Sequence, residues 1–152
     1  MTLDPGDLGV LTTPKAEQIL SSATPARFAY VSPDGSPRVV PIWFHWNGRV
    51  LVFGTTPGSP KLAALEANPA IAVTIDTIVW PYQALMIRGR AEIDTVEGIV
   101  PEYELSAQRY FGPENGPAWI DQIRPRYPRM ARIRLTPMWA WLLDYGERPE
   151  PR

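Results

Sequence analysis

Gly35-Ser36-Pro37-Arg38-Val39-Val40-Pro41-Ile42-Trp43-Phe44-His45-Trp46-Asn47-Gly48 is the stretch on which the fold turns. Val40, Ile42, Phe44 and Trp46 alternate with Val39, Pro41 and Trp43, so residues 38–46 read as a strand apolar on both faces. Such a strand must be covered on both sides: one packs into a core, the other meets a ligand or a second subunit. Asn47-Gly48 is a strong hairpin signal, because both residues tolerate the left-handed backbone of a tight turn. Residues 49–55 then return as the next strand. Upstream, Ser32-Pro33-Asp34-Gly35-Ser36-Pro37 is a turn in the residues that turns favour, which makes residues 27–31 a strand. Three consecutive antiparallel strands predict a meander.

Outward from this segment the periodicity changes. Thr13-Pro14 starts a helix to about residue 22, with Thr13 as its N-cap and Ile19 and Leu20 as its apolar stripe. Before it, residues 1–12 read as an irregular arm. Ser59-Pro60-Lys61 begins a second helix over 60–67, ended by Asn68-Pro69. Residues 70–76 and 84–94 are strands, and Gly89 marks a bulge or corner in the second. Residues 95–111 and 118–123 read as surface helices, 130–143 as the last strand, and 147–152 as a polar tail. The expected fold is mainly β with peripheral helices: one domain over 1–152, built as a six-stranded barrel.

Composition sets limits. With 152 residues and 45% hydrophobic content, the chain can bury a sizeable core without covalent staples. Its formal net charge of −1 argues against a nucleic-acid footprint. The absence of cysteine excludes disulfides, thiolate metal sites and thiol catalysis. A single histidine, His45, excludes a multi-histidine metal site within one chain. No apolar run reaches the roughly 18 residues of a membrane span, and no signal peptide is read, so a cytoplasmic setting is expected.

The segment Thr55-Thr56-Pro57-Gly58-Ser59-Pro60-Lys61 carries the most chemistry. It joins a strand to a helix and gathers hydroxyls, a glycine and a cation at one helix N-terminus. Free N–H groups and the positive end of the helix dipole attract an anion there, and Lys61 adds a point charge. An ordinary capped helix with an exposed lysine would have the same sequence. The spacing is not that of a P-loop.

Taken in order, the 35–44 stretch, Gly54-Thr55-Thr56 with Ser59 and Lys61, and Leu62-Ala63-Ala64-Leu65-Glu66-Ala67-Asn68-Pro69-Ala70-Ile71-Ala72-Val73 resemble the pyridoxamine 5′-phosphate oxidase-like superfamily. The resemblance covers residues 13–145. It implies a split β-barrel of the FMN-binding type and a homodimer with the cofactor at its interface. Arg38, Val39, Val40, Pro41, Ile42 and Trp43 would border the cofactor ring and ribityl chain. Thr55, with Thr56, Ser59 and Lys61, would hold the phosphate. Two departures stand out. The oxidases proper usually carry Ser-Arg-Lys where this chain has Ser59-Pro60-Lys61, and their terminal Arg-x-His-x-Arg is absent from Glu147-Arg148-Pro149-Glu150-Pro151-Arg152. Vitamin B6 oxidation is therefore disfavoured.

The resemblance implies instead a cytoplasmic flavoprotein oxidoreductase that passes a hydride between FMN and a small organic substrate. Its rivals are a reductase using the deazaflavin coenzyme F-420 (8-hydroxy-5-deazaflavin), a non-enzymatic flavin or haem carrier, and a cofactor-free dimer. Arg124, Arg126 and Arg129 could serve the acidic tail of F-420. His45, Trp139 and Trp141 are possible pocket residues, and Glu102, Glu104 and Arg109 read as a solvated helix face.

Overall fold

The computed structural model describes residues 3–147. A 3-10 turn (Leu8–Thr12) precedes α1 (Pro14–Leu20), β1 (Ala26–Val31), β2 (Pro37–Ile42), β3 (His45–Trp46) and β4 (Leu51–Thr55). Then come α2 (Pro60–Ala67), β5 (Ala70–Asp76), β6 (Gln83–Glu97), α3 (Pro101–Ile123) and β7 (Arg129–Asp144). The strands form one antiparallel sheet in the order β2-β1-β5-β6-β7-β4-β3. It has seven strands and stays open, where the sequence predicted six strands in a barrel.

The difference lies in residues 38–46. The expected single strand is two, β2 paired with β1 at one edge and β3 paired with β4 at the other. No meander forms. The ladder stops at Trp43-Phe44 because α3 takes over the backbone there: the Phe44 carbonyl accepts from Ser106 Oγ at 2.9 Å and from the Arg109 guanidinium. Three Cα steps of about 3.8 Å join Ile42 to His45, so the two sheet edges lie within about 11 Å and the sheet must curl. Phe44 turns into the interior and is fully buried. The side-chain alternation thus runs on across a break that periodicity does not register.

Inside the curl, Phe28 meets Phe53 edge to face at 5.0 Å, both fully buried among Leu51, Ile75, Leu85, Ile87 and Ile133. Each such side chain contributes about 1.5–3 kcal/mol by leaving water. Gly89 is the bulge expected of it: a Cβ there would lie 2.4 Å from the Thr136 carbonyl oxygen. Residues 95–97 continue β6 and are not helical, because Thr95 and Glu97 pair with Ala131 and Arg129 of β7. Cross-strand pairing outweighs the weak local preference. The helix begins only at Pro101, and it bends at Gly112, whose φ of 89° belongs to glycine.

The α3 helix is more than a surface element. With Ile99, Val100 and Met130 it closes a second apolar cluster, into which Trp43 packs. Arg109 is not solvated as expected: its Nε donates to the Ser22 carbonyl at 2.8 Å, and its guanidinium lies over the Phe44 ring. Residues 3–12 of the N-terminal arm are likewise fixed to the sheet, with Val10 and Leu11 buried and the Gly6 N–H bonded to the Ala140 carbonyl at 2.9 Å. Of the polar tail, residues 148–152 lie outside the described part. Among the described residues no helix is long and apolar enough to cross a membrane.

Candidate functional site

The α2 start is built by a tight turn. Ser59 N–H donates to the Thr56 carbonyl at 3.1 Å, and Leu62 N–H to the Ser59 carbonyl at 3.0 Å. Ser59 occupies the N-cap position, as expected, but its hydroxyl makes no capping bond. Proline at the first helical position removes one donor and the Leu62 N–H is taken by Ser59, which leaves the Lys61 N–H as the first-turn donor with no acceptor among the described residues.

Lys61 lies three and four residues before Ala64 and Leu65, both buried, so it shares their inward-facing helix side. It is half-buried, and burial pushes its ammonium below the usual lysine range. No hydrogen bond or ion pair to another described residue answers that charge. An exposed, ordinary lysine would show neither property. Unanswered cation, free hydroxyl and helix N-terminus together form a donor set suited to a phosphate. A cleft of about 440 Å³ shares the α2 start, with Pro57, Gly58, Ser59 and Pro60 in its wall, but Glu66 also lines it and Lys61 does not.

Thr55 ends β4, opposite Ala131 of β7, and Thr56 is exposed beside it. The α2 helix packs against β1, the neighbour of edge strand β2. On β2, Val40 and Ile42 lean on the main core. Arg38, Val39 and Pro41 are exposed, Val39 at 66%. One face of the strand is therefore uncovered in the single chain. Trp43 sits just beyond β2, stacked on Tyr110 with 5.0 Å between centroids.

His45 pairs with Val52 and is half-buried. Burial first, and the Arg109 charge second, push its imidazole below the usual range, so it is neutral at pH 7. Trp139 and Trp141 share one face of β7, 6.5 Å apart. They are not brought to the α2 start: eight residues of strand, about 26 Å, separate Trp139 from Ala131. Trp139 instead packs on Gly6, where a Cβ would lie 2.8 Å from its ring, and carries Arg88 at 3.8 Å from its centroid. Trp141 walls a cleft of about 420 Å³ with Lys15 and Glu147.

The arginine cluster is largely occupied. Arg124 pairs with Glu104 at 3.3 Å, and Arg129 with Glu97 at 3.3 Å. Arg126 is exposed without a partner among the described residues. Sequence reasoning missed the inward aim of Lys61. The signal was available in the spacing of Ala64 and Leu65, which marks the buried helix face.

Residues 12–144 match the pyridoxamine 5′-phosphate oxidase family. A solved structure described as an F420 reductase is 32% identical, covering 84% of this chain and 94% of its own, with a TM-score of 0.64. A conserved hypothetical protein from Mycobacterium tuberculosis is 18% identical, covering 100% and 96%, with a TM-score of 0.69. A FAD and heme binding protein from Mycobacterium smegmatis is 17% identical, covering 93% and 75%, with a TM-score of 0.62. No curated protein matches the chain. The last two likenesses speak for the fold alone, whereas the first extends to the sequence. On the length of the family match and this likeness, the chain belongs to the pyridoxamine 5′-phosphate oxidase-like superfamily.

Proposed function

We propose that this protein is an oxidoreductase holding a flavin-type coenzyme, with the coenzyme phosphate at the start of α2 and its ring along β2. The observation that carries this reading is Lys61, a half-buried cation with no partner among the described residues. A phosphate would answer that charge, and the Ser59 hydroxyl and the Lys61 N–H would complete its shell. FMN is the simplest occupant, since it brings one phosphate to one compact site. Such a group supplies hydride chemistry when bound; the protein's part is to bind, orient and exclude water. The exposed apolar face of Val39 and Pro41 would line the ring. A small organic acceptor would complete the reaction.

Coenzyme F-420 is the second reading, favoured by the 32% identity to a structure described as an F420 reductase. Its acidic tail needs cations beyond Lys61. Arg126 offers one, while Arg124 and Arg129 would first have to leave Glu104 and Glu97.

A homodimer belongs to the same proposal. Trp139 and Trp141 stand about 26 Å from the α2 end of β7, so they would join one coenzyme site only across two copies. The uncovered face of β2 supports this arrangement.

The test is the visible spectrum of the purified protein and mass spectrometry of whatever it releases, followed by titration with FMN and with F-420. Binding of either, weakened by Lys61→Ala, is expected. Failure of both would return the chain to the haem-carrier or cofactor-free alternatives. Light scattering that showed a stable 17.0 kDa species at micromolar concentration would remove the dimer.

A further inference from the structure

A cleft of about 400 Å³ separates the C-terminal end of α1 from the loop that joins β5 to β6. That volume is within the range of small-molecule sites. Ile19 of α1, itself buried, meets it from one side. Ile78, Val79 and Trp80 meet it from the other. At 83%, 67% and 68% exposed, they are the longest run of exposed large apolar side chains among the described residues. Leaving that run in water costs free energy that a bound molecule would recover. The cleft stands apart from α2: Ala70 follows that helix, and Asp76, which lines the cleft, is six residues or about 20 Å further along β5.

The loop is pinned at two places. Thr77 N–H donates to the Gln83 carbonyl at 2.9 Å, and Gln83 N–H donates back to Thr77 Oγ1 at 2.9 Å, which closes its neck. Pro81 lies against the chain that follows β7, since a Cβ on Gly146 would come 2.7 Å from the Pro81 Cβ. Trp80, between these fixings, has one ring neighbour among the described residues: Tyr82, at 5.5 Å and an interplanar angle of 89°. An edge-to-face pair takes up no more than one face of an indole. Trp80 therefore keeps a face open, in contrast to Trp43, which touches three rings.

The polar groups of the wall differ in what they have left to offer. The Ser22 hydroxyl donates to the Ile19 carbonyl at 2.7 Å, and the Thr77 hydroxyl is taken by the Gln83 N–H. Gln83 gives its side-chain N–H to Asp144 at 3.0 Å, so its Oε1 is left as an acceptor without a partner among the described residues. Asp76 accepts from Arg27 at 2.9 Å through Oδ1, and its Oδ2 is likewise spare. Asp76 is the one charged residue lining the cleft; no cation does. Gln18 and Thr24 can each donate or accept, so they do not decide the class of ligand. Two spare acceptors beside an open aromatic face are matched by a ring that carries N–H donors.

We propose that this cleft takes a flat aromatic molecule with an amino group on its ring, stacked on the Trp80 indole and donating to Gln83 and Asp76. The class follows from the groups left open in the wall, and it needs neither the coenzyme nor a second copy of the chain. A ring without N–H groups would stack on Trp80 but leave both oxygens unanswered.

Equilibrium dialysis with 2-aminoquinoline and 2-methylquinoline at pH 9 tests it. The two share a ring and nearly a shape, both are uncharged at that pH, and only the first has N–H groups. The amino compound should bind at least about fivefold more tightly, the value of one hydrogen bond. Trp80→Ala should weaken both probes roughly 5- to 10-fold, and Trp80→Phe should recover most of that loss. Because Trp80 is exposed, the melting temperature of both variants should match that of the parent, which separates lost stacking from lost fold. Asp76→Ala should cut the preference for the amino compound at least about twofold and leave the methyl compound unchanged. Its loss of an exposed ion pair with Arg27 costs the fold little. Equal binding of the two probes, no binding of 2-aminoquinoline up to its solubility limit, indifference to Trp80→Ala, or a preference untouched by Asp76→Ala would overturn the proposal.

Discussion

The chain has two lysines, Lys15 and Lys61, and they live in opposite circumstances. Lys15 donates to Asp144 at 2.7 Å and to Glu147, tying α1 to the end of β7. Its ammonium is held above the usual lysine range, first by the hydrogen bond to Asp144. Lys61 has burial without partners among the described residues, and its ammonium is pushed the other way. Arg109 and Arg132 side with Lys15, since each is bonded within the chain. The difference teaches how to tell a structural cation from one that awaits a ligand. The former is neutralised by its own fold; the latter carries a desolvation cost that only an added anion relieves.

Removing a committed cation should hurt the fold most. Arg109→Ala breaks bonds to two backbone carbonyls that join α1, the β2–β3 link and α3. A loss of about 3 kcal/mol is expected in urea unfolding, since each bond to a charged group is worth roughly 1.5–3 kcal/mol. A loss within the scatter of surface substitutions would show that the clamp is ornamental.

Lys61→Ala should do the reverse. Coenzyme affinity should fall by roughly 10- to 150-fold, from the same range for one charge-assisted bond. The melting temperature without ligand should hold or rise, because an unanswered buried charge has gone. If the melting temperature falls sharply and affinity does not change, Lys61 belongs with the structural cations.

The carboxylate partners give a smaller, pH-dependent effect. Arg132 holds Asp94 below its usual range chiefly by a hydrogen bond, and Lys15 does the same for Asp144. A carboxyl depressed on folding stabilises the native state above its unfolded value, near 4. That contribution disappears as pH falls through the depressed folded value. Melting temperature should therefore be flat from pH 7 to 5 on this account and decline below, and Asp94→Asn should flatten the decline. His45 adds a term of the same sign nearer neutrality: its imidazole is depressed, so stability falls as pH drops through about 6.5. Lys15→Ala should be the mildest change, shifting the melting temperature by about 2 °C or less, because Lys15 is itself exposed and the Asp144 carboxylate keeps its bonds from the Gln83 side chain and the Gly146 N–H.

How much of this could be read beforehand depends on range. Local chemistry was legible: the Thr13 cap, whose hydroxyl accepts from Ala16 N–H, the Asn47-Gly48 turn, the α2 boundaries and the Gly89 bulge each rest on a few adjacent residues. The split at Trp43-Phe44 was not, because its cause is Ser106 and Arg109, more than sixty positions away. Residues 95–97 failed for the same reason, their partners lying on β7. Within the candidate site, the residues of the α2 start were legible as a set. The burial of Lys61 and the remoteness of Trp139 and Trp141 from it belong to tertiary placement.

The two-residue link between β2 and β3 has a consequence for motion. Sheet edges usually fray independently, each opening at its own low free energy. Here the outermost strands are consecutive in the chain, and Phe44 between them is anchored in the interior and gripped from α3. Neither edge can swing outward far without pulling on that anchor. Amide hydrogen exchange should accordingly report one shared opening for β2 and β3, although they stand at opposite ends of the strand order. The outer edge of β2, where Val39 is exposed, would then open and close in step with Trp43 and with β3 rather than by itself.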